Sequence, residues 1–416
     1  MQIDFLKATE KVIEIFVTSA FVMFILLLPR YTDYSKFFFY LLCLTSLAAL
    51  VSSFKEYSSI TLLEKIFLFI LVLNFAWISF CYYFNGEPGR GSSMVWDRHS
   101  YFLMLIPLFF LFRRYQVQAD IFLIALFVSV SVAMVDIMID IYSGIDYRDK
   151  GMNPNAFGPI QLCLAGIFLF TFLFSSIKWQ RVISSLGFII AVGTVILCKS
   201  RGVWLAIPFL GLFFVLYLGN NWSLFKKLIA LGLIASICAS LYFIPFVKDR
   251  VDSGISQTRD YLVTENFDAA VYANSPAWRL QLWEAAWKIF LDKPVTGIGI
   301  GGYQPAITEF ETHSPIHVLQ HPHNQYLNAL ATRGIPGFLL LLAILIIPIA
   351  IARERERIDY SVRISSASLI FISITFAIGN LTADHFEQQP TIMFYVALMA
   401  FLLGRRPKAI NVNRQD

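Results

Sequence analysis

One interruption in an otherwise apolar chain limits what this sequence can fold into. From Phe246 to Gly334, about ninety residues pass without a segment long and apolar enough to cross a bilayer. On either side, apolar runs follow one another with only short polar breaks. A bilayer crossing needs about 20 apolar residues, with a range of roughly 17–25. Twelve segments are candidates: 12–29, 37–54, 66–84, 99–112, 119–140, 157–177, 182–198, 202–219, 226–246, 335–352, 364–381 and 391–404. The fourth and twelfth are short. The seventh and eighth are separated only by Lys199-Ser200-Arg201, a tight hairpin or a partly buried polar step. Composition agrees. The chain is 57% hydrophobic and 15% charged, whereas a soluble protein has about 25% charged residues. The expected fold is an all-α polytopic membrane protein with about twelve transmembrane helices. The expected divisions are helices 1–9 over residues 1–246, a large, mostly helical loop over 247–334, and helices 10–12 with a tail over 335–416.

Charge sets the orientation. If the N-terminus is cytoplasmic, the inner segments carry 18 of the 33 Lys and Arg, the short outer loops 8 and the large loop 7. Short-loop bias places the basic segments inside. The large loop is then extracytoplasmic, together with Arg98, the Gly151–Gly158 stretch, Arg201 and the Asp384-His385 pair. The Arg353–Arg357 RERER run reads as an inner-face charge cluster that retains this orientation. The net charge of +5 fits this bias better than nucleic-acid binding. The N-terminal MQIDFLKATEK leads into an apolar run with no small-residue cleavage site, which reads as an uncleaved first helix. The five cysteines all fall in or beside apolar runs, so no disulfide framework or Cys-based metal site is expected. A twelve-span transporter would show matched halves or broken helices in corresponding positions. No repeat is present, and Glu14, Asp136 and Asp140 are the few acidic residues in or near spans.

Within the loop, TRDYLVTENFD reads as a polar connector. NSPAWRLQLWEAAWKIFLDKP reads as an amphipathic helix capped by Ser275, with Pro276 at its first position. Its stripe is Leu280, Trp283, Ala286, Trp287 and Phe290. Trp278, Trp283 and Trp287 suit a helix at headgroup level. TGIGIGGY, ending in Tyr303, reads as a flexible turn, since it lacks the GK[ST] of a phosphate loop. A second helix is expected from His323 to Arg333.

The loop holds His313, His317, His321 and His323. An imidazole titrates near pH 6.5, so His323 can take a proton from a hydroxyl at neutral pH. Arg201 stands at the outer end of an apolar hairpin, where a charge needs a partner. Its planar fork suits phosphate, although simple snorkelling to the interface fits it too. Arg279 has the same ambiguity. The histidine spacing also permits zinc, but Pro315 and Pro322 interrupt the helix and no nearby Cys or clear carboxylate completes a site. No metal is expected.

These residues resemble the O-antigen ligases, within the wider ligase and polymerase superfamily of membrane glycosyltransferases. The family's H-[N/S/Q]-x9-G motif matches His323-Asn324, nine residues, then Gly334. Its R-x3-L motif matches Arg201 to Leu205. Its second loop arginine corresponds to Arg279, and Asp384 is a weaker match to an acidic residue of the last outer loop. The resemblance implies a GT-C-like architecture in the inner membrane of a Gram-negative bacterium, with the site on the periplasmic side. It implies an inverting transfer of glycan from undecaprenyl pyrophosphate to lipid A–core, with no metal and no cofactor. His323 would be the base and Arg201 and Arg279 the pyrophosphate ligands, supported by Asn324, His321, Tyr303, Asp384 and Arg98. A polymerase or a protein O-oligosaccharyltransferase of the same superfamily shares this chemistry with another acceptor.

Overall fold

In a bilayer, backbone N–H and C=O groups find no water, so a spanning segment must satisfy them internally. The computed structural model of the chain is accordingly helical. It describes residues 2–29, 31–53, 57, 59–84, 90–145, 153–219, 222–263, 276–309 and 321–405. No strand occurs among the described residues. The helices are α1 (Gln2–Leu27), α2 (Thr32–Ser53), α3 (Leu62–Phe84), α4 (Arg90–Arg114), α5 (Ala119–Tyr142), α6 (Pro154–Phe174), α7 (Lys178–Leu197) and α8 (Arg201–Leu218). They continue with α9 (Leu224–Leu241), α10 (Pro245–Val263), α11 (Pro276–Asp292), α12 (Tyr303–Glu309), α13 (Gln325–Ile358), α14 (Arg363–Gly379) and α15 (Gln389–Gly404). Each of the twelve expected segments lies mainly on one helix, and the ninth, 226–246, runs past the end of α9 into the first turn of α10. Among the described residues, six helices are long and apolar enough to cross a membrane: α3, α5, α6, α7, α9 and α13. The chain is a helical membrane protein.

Helix α15 is apolar all round because protein, not lipid, surrounds it. Every residue from Thr391 to Gly404 is buried. Its Phe401 packs on Phe122 of α5 with ring centroids 4.5 Å apart and on Phe21 of α1 at 4.9 Å. Helix α9 is the opposite case. It too is largely apolar, yet none of its residues is buried, as expected of a helix facing hydrocarbon.

Helix α13 joins loop to membrane. It breaks at Gly334, whose φ of 62° and ψ of −166° are not helical. Gly334 tolerates that left-handed φ at no steric cost, and Pro336 two residues later has no N–H to give back to the helix. The carbonyls freed by the break are taken up by neighbours. Ile298 N–H donates to Ala331 O (2.9 Å), Gly299 N–H to Thr332 O (3.1 Å) and Trp77 Nε1 to Arg333 O (2.9 Å). Ile335 N–H donates in turn to Pro294 O (2.9 Å). The glycine run expected to be a flexible turn is therefore packed against α13. A Cβ on Gly297 would overlap the Thr332–Arg333 backbone.

At the opposite end of α13 a buried ion cluster ties four helices together. Thr61 and Glu64 form a reciprocal capping box at the start of α3: Thr61 N–H donates to Glu64 Oε2 (2.9 Å) and Glu64 N–H to Thr61 Oγ1 (3.3 Å). Glu64 also accepts from Arg113 Nη1 of α4 (3.3 Å) and from Arg355 of α13. Arg355 reaches the last carbonyls of α15 at Leu402, Leu403 and Arg405. All three charged side chains are buried. This corrects the reading of the RERER run as a charge cluster only. Arg355 is an internal tie, and Glu356 accepts from Tyr217 Oη (2.8 Å).

Three further expectations change. Thr258–Val263 of the supposed connector completes α10. Helix α11 buries Trp278, Leu282, Ala285, Ala286 and Ile289, a face one position back from the expected stripe. Trp278 is buried there and Trp283 is tied to the chain at Pro322, so of the three tryptophans only Trp287 is exposed, at 47%. The second loop helix starts at Gln325, not at His323. Ser275, His313 and His317 lie outside the described residues.

Candidate functional site

The first turn of α13 organises the site. Asn324 is its N-cap, and its Oδ1 accepts from Tyr326 N–H (3.0 Å) and Leu327 N–H (3.1 Å). Directly before the cap, His323 adopts a φ of 53°, a left-handed conformation uncommon for a residue with a Cβ. Such conformations persist where surrounding structure over-determines them. Here Pro322 is held from α11, whose Trp283 Nε1 donates to Pro322 O (3.0 Å). The result is a sharp bend that turns both His321 and His323 toward one point.

The last outer loop is clamped onto the same turn. Gln325 N–H donates to Asn380 O (2.9 Å), Phe386 N–H to Gln325 Oε1 (3.0 Å) and Tyr326 Oη to Ala377 O (2.6 Å). Asn328 Nδ2 donates to Glu387 Oε1, and Arg98 Nη1 of α4 donates to Glu387 O. These ties bring fully buried Asp384 to His321, with Oδ2 2.7 Å from Nδ1. The His321 and His323 rings meet edge to face, with centroids 4.6 Å apart.

Electrostatics splits the two histidines. Burial pushes His321 down, but the Asp384 carboxylate outweighs it and lifts the imidazole to about 9. Burial pushes His323 down to about 4, and the charges of His321 and Arg279 act the same way, against Asp384. At neutral pH His321 is therefore a cation paired with Asp384, and His323 is a neutral imidazole. Burial would raise the Asp384 carboxyl, but the His321 imidazolium wins and holds it below its usual range. Glu387 is pushed up by burial and by the nearby Asp384 charge. A pair of titratable groups driven apart by their surroundings is a pattern of acid–base sites.

The remaining expected residues fall around this pair. Arg279 sits half-buried on α11, close enough for its charge to act on His323. Tyr303 is buried and donates from Oη to Leu282 O (2.8 Å), tying α12 to α11. Arg201 opens α8; its side chain lies outside the described residues. The backbone beside it packs on the last outer loop, since a Cβ on Gly202 would overlap Thr382 Oγ1. A small cavity of about 70 Å³ is lined by His321 together with Arg98, Tyr303, Gln304, Asn328 and Glu387, among others. Glu387, Asn328 and Gln325 were not among the expected residues. Glu387 had one signal, a second acidic residue beside Asp384 in a short outer connection.

His321, His323 and Asp384 have donor atoms within 4.8 Å of one another. The carboxylate that the sequence did not show nearby thus comes from Asp384, 61 residues after His323 and 63 after His321. Two donors on one tetrahedral zinc, each about 2.0–2.1 Å from the metal, sit about 3.3 Å apart. The His321–Asp384 separation of 2.7 Å is shorter. The charges of Arg98 and Arg279 also face the group. The geometry is that of an ion pair.

The split predicts the pH dependence of stability. The folded-state value of His323 lies below its unfolded value near 6.5, so stability rises with pH from about 4 to 6.5. The folded-state value of His321 lies above it, so its contribution is complete below pH 6.5 and is lost as pH rises toward about 9. Melting temperature in detergent should peak near pH 6.5. In His321→Gln the fall between pH 6.5 and 9 should flatten. An unchanged fall in that variant would show that His321 is not the charged partner.

Comparison with known proteins adds two similarities. An uncharacterised protein of Haemophilus influenzae is 28% identical over 274 residues, covering 61% of this chain and 65% of its own length, less than two thirds of that relative. A family model described as O-antigen ligase matches residues 186–342, a segment holding Arg201, Arg279, Tyr303, His321, His323 and Asn324 but neither Arg98 nor Asp384. That segment runs from the middle of α7 across the loop into the membrane half of α13, and through it the chain is similar to the O-antigen ligase family.

Proposed function

We propose that the protein is an O-antigen ligase acting on the periplasmic face of the inner membrane of a Gram-negative bacterium. Twelve crossings leave both ends in the cytoplasm and the 247–334 loop outside, between the helical divisions 1–246 and 335–416. The donor is a glycan on undecaprenyl pyrophosphate, and the acceptor is a sugar hydroxyl of lipid A–core. His323 removes the acceptor proton as the hydroxyl oxygen bonds to the anomeric carbon. The bond from that carbon to the pyrophosphate oxygen breaks on the opposite face, inverting the centre. The electron pair leaves with the lipid pyrophosphate, where Arg279 and Arg201 stabilise the charge. His321 and Asp384 position His323, and the His321 cation keeps it unprotonated before the donor arrives. Asn324 fixes the bend that carries both histidines, and Tyr303 and Arg98 hold the surrounding walls. A lipid leaving group carries its own activation, so no nucleotide is needed.

The observation that carries this reading is a neutral His323 beside Arg279 and the His321–Asp384 ion pair. Asp384→Asn removes the charge that sustains the His321 cation. Transfer should fall about 100-fold, within the range for a group supporting acid–base catalysis, and the alkaline limb of the rate profile should move to lower pH. A rate loss with an unmoved limb would leave Asp384 a packing residue only.

A strain lacking the protein distinguishes the acceptors. Loss of a ligase leaves bare core and glycan accumulated on its lipid carrier. Core bearing a single repeat would instead indicate a polymerase, and unchanged lipopolysaccharide a transferase acting on protein.

A further inference from the structure

Helix α10 has two unlike faces. Lys248, Val251, Ile255, Arg259 and Leu262 recur at i, i+3, i+7, i+11 and i+14, which puts them on one stripe of a 3.6-residue helix. Asp249, Ser253, Ser256 and Asp260 recur at i, i+4, i+7 and i+11 on the other side. Among the described residues, nothing covers the exposed part of the apolar stripe. Ile255 is 63% exposed and Leu262 73%, and Lys248 and Arg259 beside them are exposed as well. Val251, Gly254, Ile255, Thr258 and Leu262 line an open groove of about 550 Å³ along it.

Connectivity limits where this stripe can be. Helix α9 is a membrane-span candidate ending at Leu241. Only Tyr242, Phe243 and Ile244 separate it from Pro245, and Phe243 is 81% exposed. The first turn of α10 therefore starts at the bilayer surface. A helix of this length is about 28 Å long at ~1.5 Å per residue. Standing upright, it would carry Ile255 and Leu262 out into water. Lying flat, it places them in the acyl–headgroup boundary, with Lys248 and Arg259 at the phosphates and the aspartates outward. Apolar residues flanked by basic ones on one face and a polar opposite face are the pattern of interfacial helices.

We propose that α10 is an interfacial helix seated in the bilayer surface that α9 leaves, its Lys248–Leu262 stripe bound to anionic phospholipid. It then holds α11, and with it Arg279 and the Trp283–Pro322 tie, at the height of lipid headgroups. The inference rests on α9 spanning the membrane and is independent of the transfer chemistry.

The test uses the full chain with its native cysteines replaced, reconstituted in nanodiscs of phosphatidylcholine with and without phosphatidylglycerol. Nitroxides are attached at Ile255→Cys, Leu262→Cys, Asp249→Cys and Ser256→Cys. Power-saturation measurements should show oxygen access exceeding that of a water-soluble nickel chelate at 255 and 262, with the ratio reversed at 249 and 256. The difference should widen with phosphatidylglycerol. Equal aqueous access at all four sites would overturn the proposal. So would shielding of 255 and 262 from both reagents, which would mean that protein, not lipid, covers the stripe. Tryptic cleavage after Arg259 in the unmodified chain gives a second reading: it should be protected in anionic nanodiscs and open in detergent, and equal cleavage in both would count against the seat. A transfer-dead protein would give the same results, so failure of the ligase reading would be visible separately.

Discussion

Replacing His323 by Ala should lower kcat for glycan transfer by about 100-fold to 10,000-fold, the range that a positioned general base contributes. KM for the lipid-linked donor should change little, because the groups proposed to hold the pyrophosphate, Arg279 and Arg201, remain. The pH profile of the wild type should carry the signature of the same residue. In the free protein His323 titrates near 4 and His321 near 9, so kcat/KM should rise through the first value and fall through the second. Donor binding brings the negative charge of a pyrophosphate beside Arg279 and His323. That charge favours the protonated imidazole and pushes His323 upward. The acid limb of kcat, which reports the bound complex, should therefore lie at higher pH than the acid limb of kcat/KM. This coupling also makes the base stronger at the moment it is needed. Coincident limbs would mean that the pyrophosphate does not sit next to His323. A His323→Ala protein with near-normal kcat and an intact fold would sink its role as the base.

The second large effect is on stability. Glu64→Ala should destabilise the fold by about 3–5 kcal/mol, the cost of removing one partner from a buried ion pair. The figure follows from what is left behind. Arg113 and Arg355, both buried, would lose the single carboxylate they share, and Thr61 N–H would lose its acceptor. Helices α3, α4, α13 and α15 meet at this point, so loosening it reaches most of the bundle. A clearly lowered melting temperature in detergent is expected. Replacing all three charged residues by Met should recover much of the loss, because it removes the unpaired charges too. A Glu64→Ala protein that melts with the wild type would show that water already solvates these arginines.

The membrane helices were legible because their signal is one-dimensional: each run of apolar residues must satisfy its own backbone. Loop helices were less legible, because a three-dimensional neighbour decides which face is buried. The tryptophans of α11 have the spacing of an interfacial stripe. Nothing in the spacing distinguishes a tryptophan that meets headgroups from Trp283, which donates to Pro322 O. The connector read into TRDYLV failed for a related reason. Its Arg259 and Leu262 belong to one stripe of α10 and its Asp260 to the other, and the apolar stripe was too dilute to mark a helix. Of the site, His323 and Arg279 were visible as polar residues with few structural uses. The partnership of His321 with Asp384 was not, since it joins residues 63 positions apart through a loop whose register is set by Gln325, Tyr326 and Asn328. The same holds for Arg355, whose place in a run of alternating charges conceals that it alone of the run's arginines turns fully inward.

In the proposed reaction a neutral histidine, charge-tuned by its ion-paired neighbour, drives glycan transfer from a lipid pyrophosphate without a metal. Purified protein, lipid-linked donor and lipopolysaccharide lacking O-antigen, incubated with and without chelator, test it directly. Ligated product should form at the same rate in both, and should be lost with His323→Ala. Product that disappears in chelator and returns with added divalent cation, or that forms normally with His323→Ala, would contradict it.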